Sequence, residues 1–411
     1  MSKIPKLRFK EFRDDWEEKR LGDYGKLING LTYSPDNIAE DGLFVLRSSN
    51  IQNGQISFHD NVYVDLEVKD EYITKENDIL ICVRNGSKRL IGKNILISNK
   101  LPRATHGAFM TVFRGDSNRL ISHWFKSVIY YKEVHKNLGA TINSINGSDL
   151  VKFKIILPQK QEQEKIASFL ISVDTKIEQL TKKETLLKEY KKGVMQKIFN
   201  YENRKAKDNS LSLVDSEPEA MCQSTAGGIR FKADDGSEFC GWQDKKLSSL
   251  CSIKKGSQLN KDTLTEVGDY PAINGGINPS GYTTNYNTEA HTITISEGGN
   301  SCGYVNFITT NFWSGGHNYS LQELKKNIEN LYLFQYLKHN EHLIMRLRVG
   351  SGLPNIQKGD INNFKVLVPC LEEQNKIANF LSSIDTKIEQ TQKQLELGKE
   401  FKKALLQQMF V

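Results

Sequence analysis

Apolar side chains between residues 159 and 199 recur in alternating steps of four and three: Ile166, Leu170, Val173, Ile177, Leu180, Leu187, Val194 and Ile198. Only Glu184 and Lys191 interrupt the row. These are the a and d positions of a heptad, and they predict one long helix with a single narrow apolar stripe. A second row runs through Ile377, Leu381, Ile384, Ile388, Leu395, Leu405 and Met409, broken by Thr391, Gly398 and Lys402. Pro158 and Pro369 stand just ahead of the two segments, where a missing N–H leaves no helical bond unmade. A helix over 159–199 would span ~60 Å. So narrow a stripe needs a partner helix, and the nearest candidate is the other copy.

The two segments are copies in sequence as well as in pattern. Residues 157–199 and 368–410 align without a gap and share 23 identities over 43 positions. The repeat extends upstream: Gly139-Ala140-Thr141-Ile142-Asn143-Ser144-Ile145 faces Gly350-Ser351-Gly352-Leu353-Pro354-Asn355-Ile356, and Asp149 and Phe153 face Asp360 and Phe364. A fainter echo opens each half, Arg8-Phe9 with Trp16 and Leu21 against Arg230-Phe231 with Trp242 and Leu247. The interiors, about 30–138 and 257–349, show no such likeness. The plan is variable domain, shared helix, variable domain, shared helix.

The interiors carry short β-rich runs such as Ile79-Leu80-Ile81-Cys82-Val83 and His291-Thr292-Ile293-Thr294-Ile295, separated by Gly, Asn and Ser turns, and then helical patterns over 120–137 and 331–346. The fold class is therefore mixed α/β. Residues 200–228 lack apolar periodicity and read as a linker. The expected segments are 1–157, 158–199, 200–228, 229–368 and 369–411.

Composition narrows the function classes. The 411 residues carry a formal charge of +7, and no apolar stretch approaches a membrane span. The N-terminus lacks a signal-peptide core, so the cytoplasm is expected. The six cysteines form no C-x-x-C pair and read as isolated thiols. Residues 79–136 hold eleven basic and two acidic side chains, with Asn, Ser, Thr and His interleaved. Lys and Arg neutralise phosphates, while Arg, Asn and Ser can address base edges. A nucleic-acid face follows, although the second half is net acidic.

Chosen by residue type and loop context, the candidate contacts in the first half are Arg47, Ser49, Asn50, Arg84, Asn85, Lys88, Arg89, Arg103, Thr105 and Asn143. In the second half, where Gly-rich turns present amide, carboxylate (Glu297) and imidazole groups, they are Asn274, Ser296, Asn300, His317, Asn318, Arg346, Arg348 and Asn355. The candidate helix-packing residues are Ile166, Leu170, Val173, Ile177, Leu180, Ile377, Leu381, Ile384, Ile388 and Leu395.

Catalytic signatures are missing. No [DNS]-P-P-[YFW] loop, G-x-G-x-x-G or G-x-x-x-x-G-K-[ST] occurs. A nuclease-like Pro35-Asp36 with Glu67-Val68-Lys69 is a short acidic pattern of the kind that arises by chance, and His339 with His342 lacks a third metal ligand. Two alternatives stay open beside a DNA-reading chain: a coiled-coil scaffold with protein-binding domains, and a standalone nuclease.

The helix motif, Ile166-Ala167-x-Phe169-Leu170 with Asp174-Thr175-Lys176-Ile177 and its copy Ile377-Ala378-x-Phe380-Leu381 with Asp385-Thr386-Lys387-Ile388, resembles the specificity subunit of type I DNA restriction–modification systems. So do the Asp78-Ile79-Leu80 run and the Gly139 to Asp149 run. The resemblance implies two α/β target-recognition domains, each reading half of a bipartite DNA target. It implies that the two long helices between them pack as an antiparallel coiled coil in a pseudo-twofold repeat, set the half-site spacing and dock two modification subunits. Those subunits would bind S-adenosylmethionine and methylate adenine; restriction subunits would bring ATP and Mg²⁺. The chain itself would bind double-stranded DNA, hold no cofactor or metal, and catalyse nothing.

Overall fold

A computed structural model describes residues 4–99, 101–138, 143–199, 228–350, 352 and 354–410. The expected linker, apart from Gly228, lies outside the described residues, as do Lys100, Gly139, Ala140, Thr141, Ile142, Cys222, Ser351 and Leu353. The helices are α1 (Asn118–Trp124), α2 (Val128–Lys136), α3 (Gly147–Leu150), α4 (Lys160–Phe199), α5 (Asn330–His339), α6 (Glu341–Met345), α7 (Lys358–Asn363) and α8 (Leu371–Met409). The chain divides into two compact units, one of Met1–Thr181 with Lys393–Val411 and one of Lys182–Gln392. Neither long helix is a segment apart: each contributes residues to both units.

In the first unit an antiparallel sheet carries Met110–Arg114 between Lys26–Asn29 and Ile79–Cys82, with Asn94–Leu96 outermost. A second sheet pairs Leu43–Leu46 in parallel with Ala104–His106 and antiparallel with Tyr63–Val64. The second unit repeats both arrangements. Asn318–Gln322 lies between Ser252–Lys255 and Thr292–Ser296, with Val305–Ile308 outermost. Tyr270–Ile273 pairs in parallel with Trp313–Ser314 and antiparallel with Gly281–Thr283. The interiors that share no sequence pattern thus share one topology. What they have in common is central strands buried along nearly their whole length, a condition that many sequences satisfy.

A two-stranded ribbon closes each unit, Glu17–Arg20 on Lys154–Leu157 and Gln243–Lys246 on Lys365–Val368. Beyond each ribbon the chain enters a long helix. The side-chain amides of Gln163 and Gln374 donate back to the carbonyls of Pro158 and Pro369 at 2.8 and 2.9 Å. A buried Glu follows the same duplicated plan: Glu162 receives Arg8 and Glu373 receives Arg230, and Glu373 also receives the Trp242 indole N–H at 3.1 Å.

The two helices pack antiparallel, as contacts inside each unit show. In the first, Asp174 of α4 pairs with Lys402 of α8, and Ile177 packs over Gly398. Ile166 and Leu170 are buried with Leu405, Leu406 and Met409. In the second, Lys191 of α4 donates to both oxygens of Asp385 of α8 at 2.7 and 2.8 Å, and Gln392 donates to Glu184. Ile377, Leu381, Ile384 and Ile388 are buried with Val194, Met195 and Ile198. Leu180 and Leu395 are buried too, while Val173 and Ile177 are half-buried. The interruptions of the stripe are themselves interface positions. Lys191 and Lys402 are repeat equivalents, as are Asp174 and Asp385, so the helices meet through the same ion pair in both units.

Candidate nucleic-acid interface

In the first unit several strands end on one surface. Leu43–Leu46 runs out into Arg47 and the turn Ser48–Asn50, and Ile79–Cys82 into Val83, Arg84 and Asn85. Ala104–His106 leads through Gly107 and Ala108 to Phe109, which precedes Met110–Arg114. Hydrogen bonds lock these ends together. Asn85 Nδ2 donates to Ser48 Oγ at 3.0 Å, Asn143 Nδ2 to Gly86 O at 2.9 Å, and the amide of Ile145 to Val83 O at 2.9 Å. A cleft of 530 Å³ opens between them, lined among others by Thr32, Tyr33, Arg47, Ser49 and Phe109. Arg47 is held by Asp60 at 2.7 Å, whereas Arg84, Lys88 and Arg89 stand exposed. The surface therefore offers cations for phosphates, and amide and hydroxyl groups for base edges.

The second unit builds the corresponding surface from other residues. Asn274 follows the strand Tyr270–Ile273, Glu297 to Asn300 follow Thr292–Ser296, and Gly315-Gly316-His317 precede Asn318–Gln322. Asn274 Oδ1 accepts the His317 amide at 3.1 Å. Gly275, at φ +79°, packs so tightly that a Cβ there would lie 2.4 Å from His317 O, which excludes any side chain. The amide of Ile356 donates to Glu297 O at 2.8 Å, and Gly298 bridges to Asn355. Asn300, His317, Arg346, Arg348 and Asn355 are exposed.

Beneath His317 lies a buried acid. Glu297 is 5% exposed; its Oε1 accepts from Lys255 and, at 2.9 Å, from Tyr319. The same carboxylate pushes the Tyr319 phenol upward, although burial of the phenol is the larger cause.

Not every candidate reaches these surfaces. Asn50 is fully buried and holds the turn, its Oδ1 accepting the Arg47 amide at 2.9 Å and its Nδ2 donating to Ser57 O. Thr105 is fully buried and donates to Tyr72 O at 3.0 Å. Ser296 and Asn318 are buried on Gly275 O and Ser314 Oγ. These four shape the loops, because short polar side chains at strand ends satisfy backbone groups that burial would otherwise strand. Arg103 is exposed, but it stands before Ala104, at the far end of that strand from Gly107. Sequence reasoning passed over Tyr33 and Phe109, and it noted the Glu297 carboxylate only as part of a Gly-rich turn. The available signal was the small pair ahead of the central strand, Gly107-Ala108 and Gly315-Gly316, which places Phe109 and His317 alike.

Asp36, Glu67 and Lys69 are exposed, and among the described residues no group of His, Cys, Asp or Glu could hold a metal ion. The described cysteines Cys82, Cys240, Cys251, Cys302 and Cys370 are free thiols. No helix among the described residues is long and apolar enough to cross a membrane.

Comparison with known proteins returns one consistent likeness. Residues 13–189 and 240–397 match the family described as type I restriction modification DNA specificity domain. A putative type I restriction enzyme MjaX specificity subunit of Methanocaldococcus jannaschii is 27% identical over 420 residues, 98% of this chain and 94% of that protein. A putative type I specificity subunit of Mycoplasma pneumoniae is 33% identical over 171 residues, 41% of this chain, and the match spans 45% of that protein. The crystal structure of a type I restriction–modification S subunit from M. genitalium superposes with a TM-score of 0.69 at 19% identity, covering 99% of each chain, which is a likeness of fold.

Proposed function

Because the chain belongs to the type I restriction–modification DNA specificity family, we propose that it is the non-catalytic, DNA-reading chain of such a complex. Each unit reads one half of a bipartite double-stranded target. The paired helices α4 and α8 fix the gap between halves and dock two modification subunits. Those subunits supply S-adenosylmethionine-dependent adenine methylation, and restriction subunits supply ATP- and Mg²⁺-dependent cleavage. In this reading residues 1–157 and 229–368 are the recognition domains, 158–199 and 369–411 the spacer helices, 200–228 a linker, and the cytoplasm the site of action.

One observation carries the reading: the four-stranded antiparallel sheet that holds the central strand has the same strand order in both units, while the loops at the strand ends are furnished differently. A single frame that holds two unlike polar surfaces suits two unlike half-sites, and protein geometry sets half-site spacing in other DNA readers. The spacer role is tested by inserting one heptad into each helix, at 181 of α4 and 392 of α8. At 1.5 Å per residue the insertion adds ~10 Å, or about three base pairs. Co-expressed with a modification subunit and mapped for adenine methylation, the variant is expected to widen the gap and keep the half-site letters. Altered letters with an unchanged gap overturn the reading.

A further inference from the structure

Backbone hydrogen bonds give the two surfaces a common register. In the first unit the amides of Val83 and Arg84 donate to Phe109 O at 3.0 and 3.1 Å; in the second the amide of Glu297 donates to His317 O at 2.9 Å. Phe109 and His317 therefore hold the same place, one residue ahead of the central strand and directly after a pair of small residues. Both rings project: Phe109 is 58% exposed and the His317 side chain 60%. A single exposed Phe needs no explanation. Two projecting rings at one equivalent position, each amid its unit's reading loops, ask for a shared role.

What stands behind each ring differs. Phe109 lies under the Arg84 guanidinium, 5.9 Å from the ring centroid, and beside Tyr33 and Arg47 in the cleft. It offers an apolar tip with a cation at its flank. His317 has its Nδ1 3.7 Å from Glu297 Oε2, a buried carboxylate oxygen with no hydrogen-bond partner among the described residues. It offers a polar edge with a carboxylate oxygen below it, just beyond hydrogen-bond distance, on a loop that Gly275 and Asn274 clamp.

We infer that Phe109 and His317 are the matching apex residues of the two readers, and that each decides one letter of its own half-site. Phe109 does so by apolar contact with a thymine C5-methyl group. His317 does so by a hydrogen bond to a base edge, with Glu297 as its positioning residue. The chemistry follows from the major groove, where the thymine methyl is the one apolar feature and every other distinguishing group donates or accepts. The inference rests on the DNA-reading function proposed above.

The test maps adenine methylation in cells co-expressing a modification subunit with the parent chain or with Phe109→Ala, His317→Ala or Glu297→Gln. Phe109→Ala is expected to relax a thymine at one position of one half-site, roughly fivefold. His317→Ala is expected to relax one position of the other half-site roughly tenfold, with the gap and the opposite half unchanged in both cases. Glu297→Gln is expected to loosen the same letter as His317→Ala, which a merely structural role would not single out. Thermal unfolding of each variant shows whether it is folded. No two-part motif from the parent chain means that the DNA-reading function fails. A parent motif with all letters kept in the Ala variants, or with letters loosened in both halves together, overturns the apex assignment.

Discussion

Asp174 and Asp385 are the same residue of a duplicated helix, and the two units surround them differently. Asp385 meets Lys191 and, at 2.8 Å, the Gln335 amide. Asp174 meets Lys402, with Lys126 Nζ at 3.6 Å and His123 Nδ1 at 3.9 Å. The first carboxylate thus sits among two ammonium groups and an imidazole, the second beside one ammonium and a neutral amide. The helix face is shared, whereas the partner from the globular part belongs to each variable domain. The duplication fixes the ion pair between helices and leaves each unit free to choose what seals it. The same division separates the shared frame from the unlike reading loops.

The frame itself is where substitution should weigh most. Removing Glu373 takes from Arg230 its carboxylate partner and from the half-buried Trp242 its indole N–H acceptor. Glu373→Ala is expected to destabilise the second unit by about 3–5 kcal/mol, measured by urea unfolding. Its counterpart Glu162 pairs with Arg8, but the Trp16 indole N–H finds no partner among the described residues. Glu162→Ala is therefore expected to fall short of Glu373→Ala by about 1.5 kcal/mol, the worth of one hydrogen bond to a charged group. Equal losses would show that the Trp242 bond adds nothing.

A smaller difference should appear on acidification. Burial pushes the His123 imidazole down to about 3, and Lys126 adds to the shift while Asp174 opposes it. Unfolded histidine titrates near 6.5. Between those values the unfolded chain binds a proton that the folded unit refuses, so stability is full above about pH 6.5 and falls with pH. At pH 4.5 the loss is roughly 3 kcal/mol in the first unit. Asp174 acts later: burial would raise its pKa, but Lys126 and Lys402 outweigh it and hold the carboxyl below its usual value. Its contribution is lost only as pH drops through that lowered value. The second unit has Gln335 where the first has His123, and Gln335 does not titrate. The hydrogen-exchange protection factor of α1, the observed rate referred to the intrinsic rate at each pH, is expected to fall between pH 7 and 4.5 in the parent chain and to stay level in His123→Gln. An equal fall in both would clear His123.

Much of this architecture could be read from residue pattern alone, and the failures have physical causes. The stripe announced both long helices because a heptad row is a period that few other structures need. Its breaks at Lys191 and Lys402 looked like defects; they are cross-helix ion pairs, visible only once the antiparallel register is known. The common topology of the interiors stayed hidden because strand pairing constrains burial and leaves side-chain identity free. Residue type picked out Arg84, Asn85 and His317, which lie on the surfaces at the strand ends. It also picked out Asn50, Thr105, Ser296 and Asn318, since a polar residue that holds a turn looks in sequence like one that faces a ligand. Phe109 was missed for the opposite reason: a Phe beside a strand reads as core.

The mildest test of the comparison concerns the two lysines. Lys191→Gln takes from Asp385 its ammonium partner and leaves it the Gln335 amide. Lys402→Gln leaves Asp174 with Lys126 still 3.6 Å away. Both carboxylates are about one-third exposed, 33% for Asp385 and 31% for Asp174, so water screens each pair and neither change is large. Lys191→Gln is expected to lower stability by about 1 kcal/mol and Lys402→Gln by about half of that. In a double variant with Lys126→Gln the second site should lose its reserve, and the added loss from Lys402→Gln should rise to match Lys191→Gln. If the two lysines already differ in the opposite sense, the globular partner does not substitute for the helix partner, and the shared ion pair alone sets the strength of the seam.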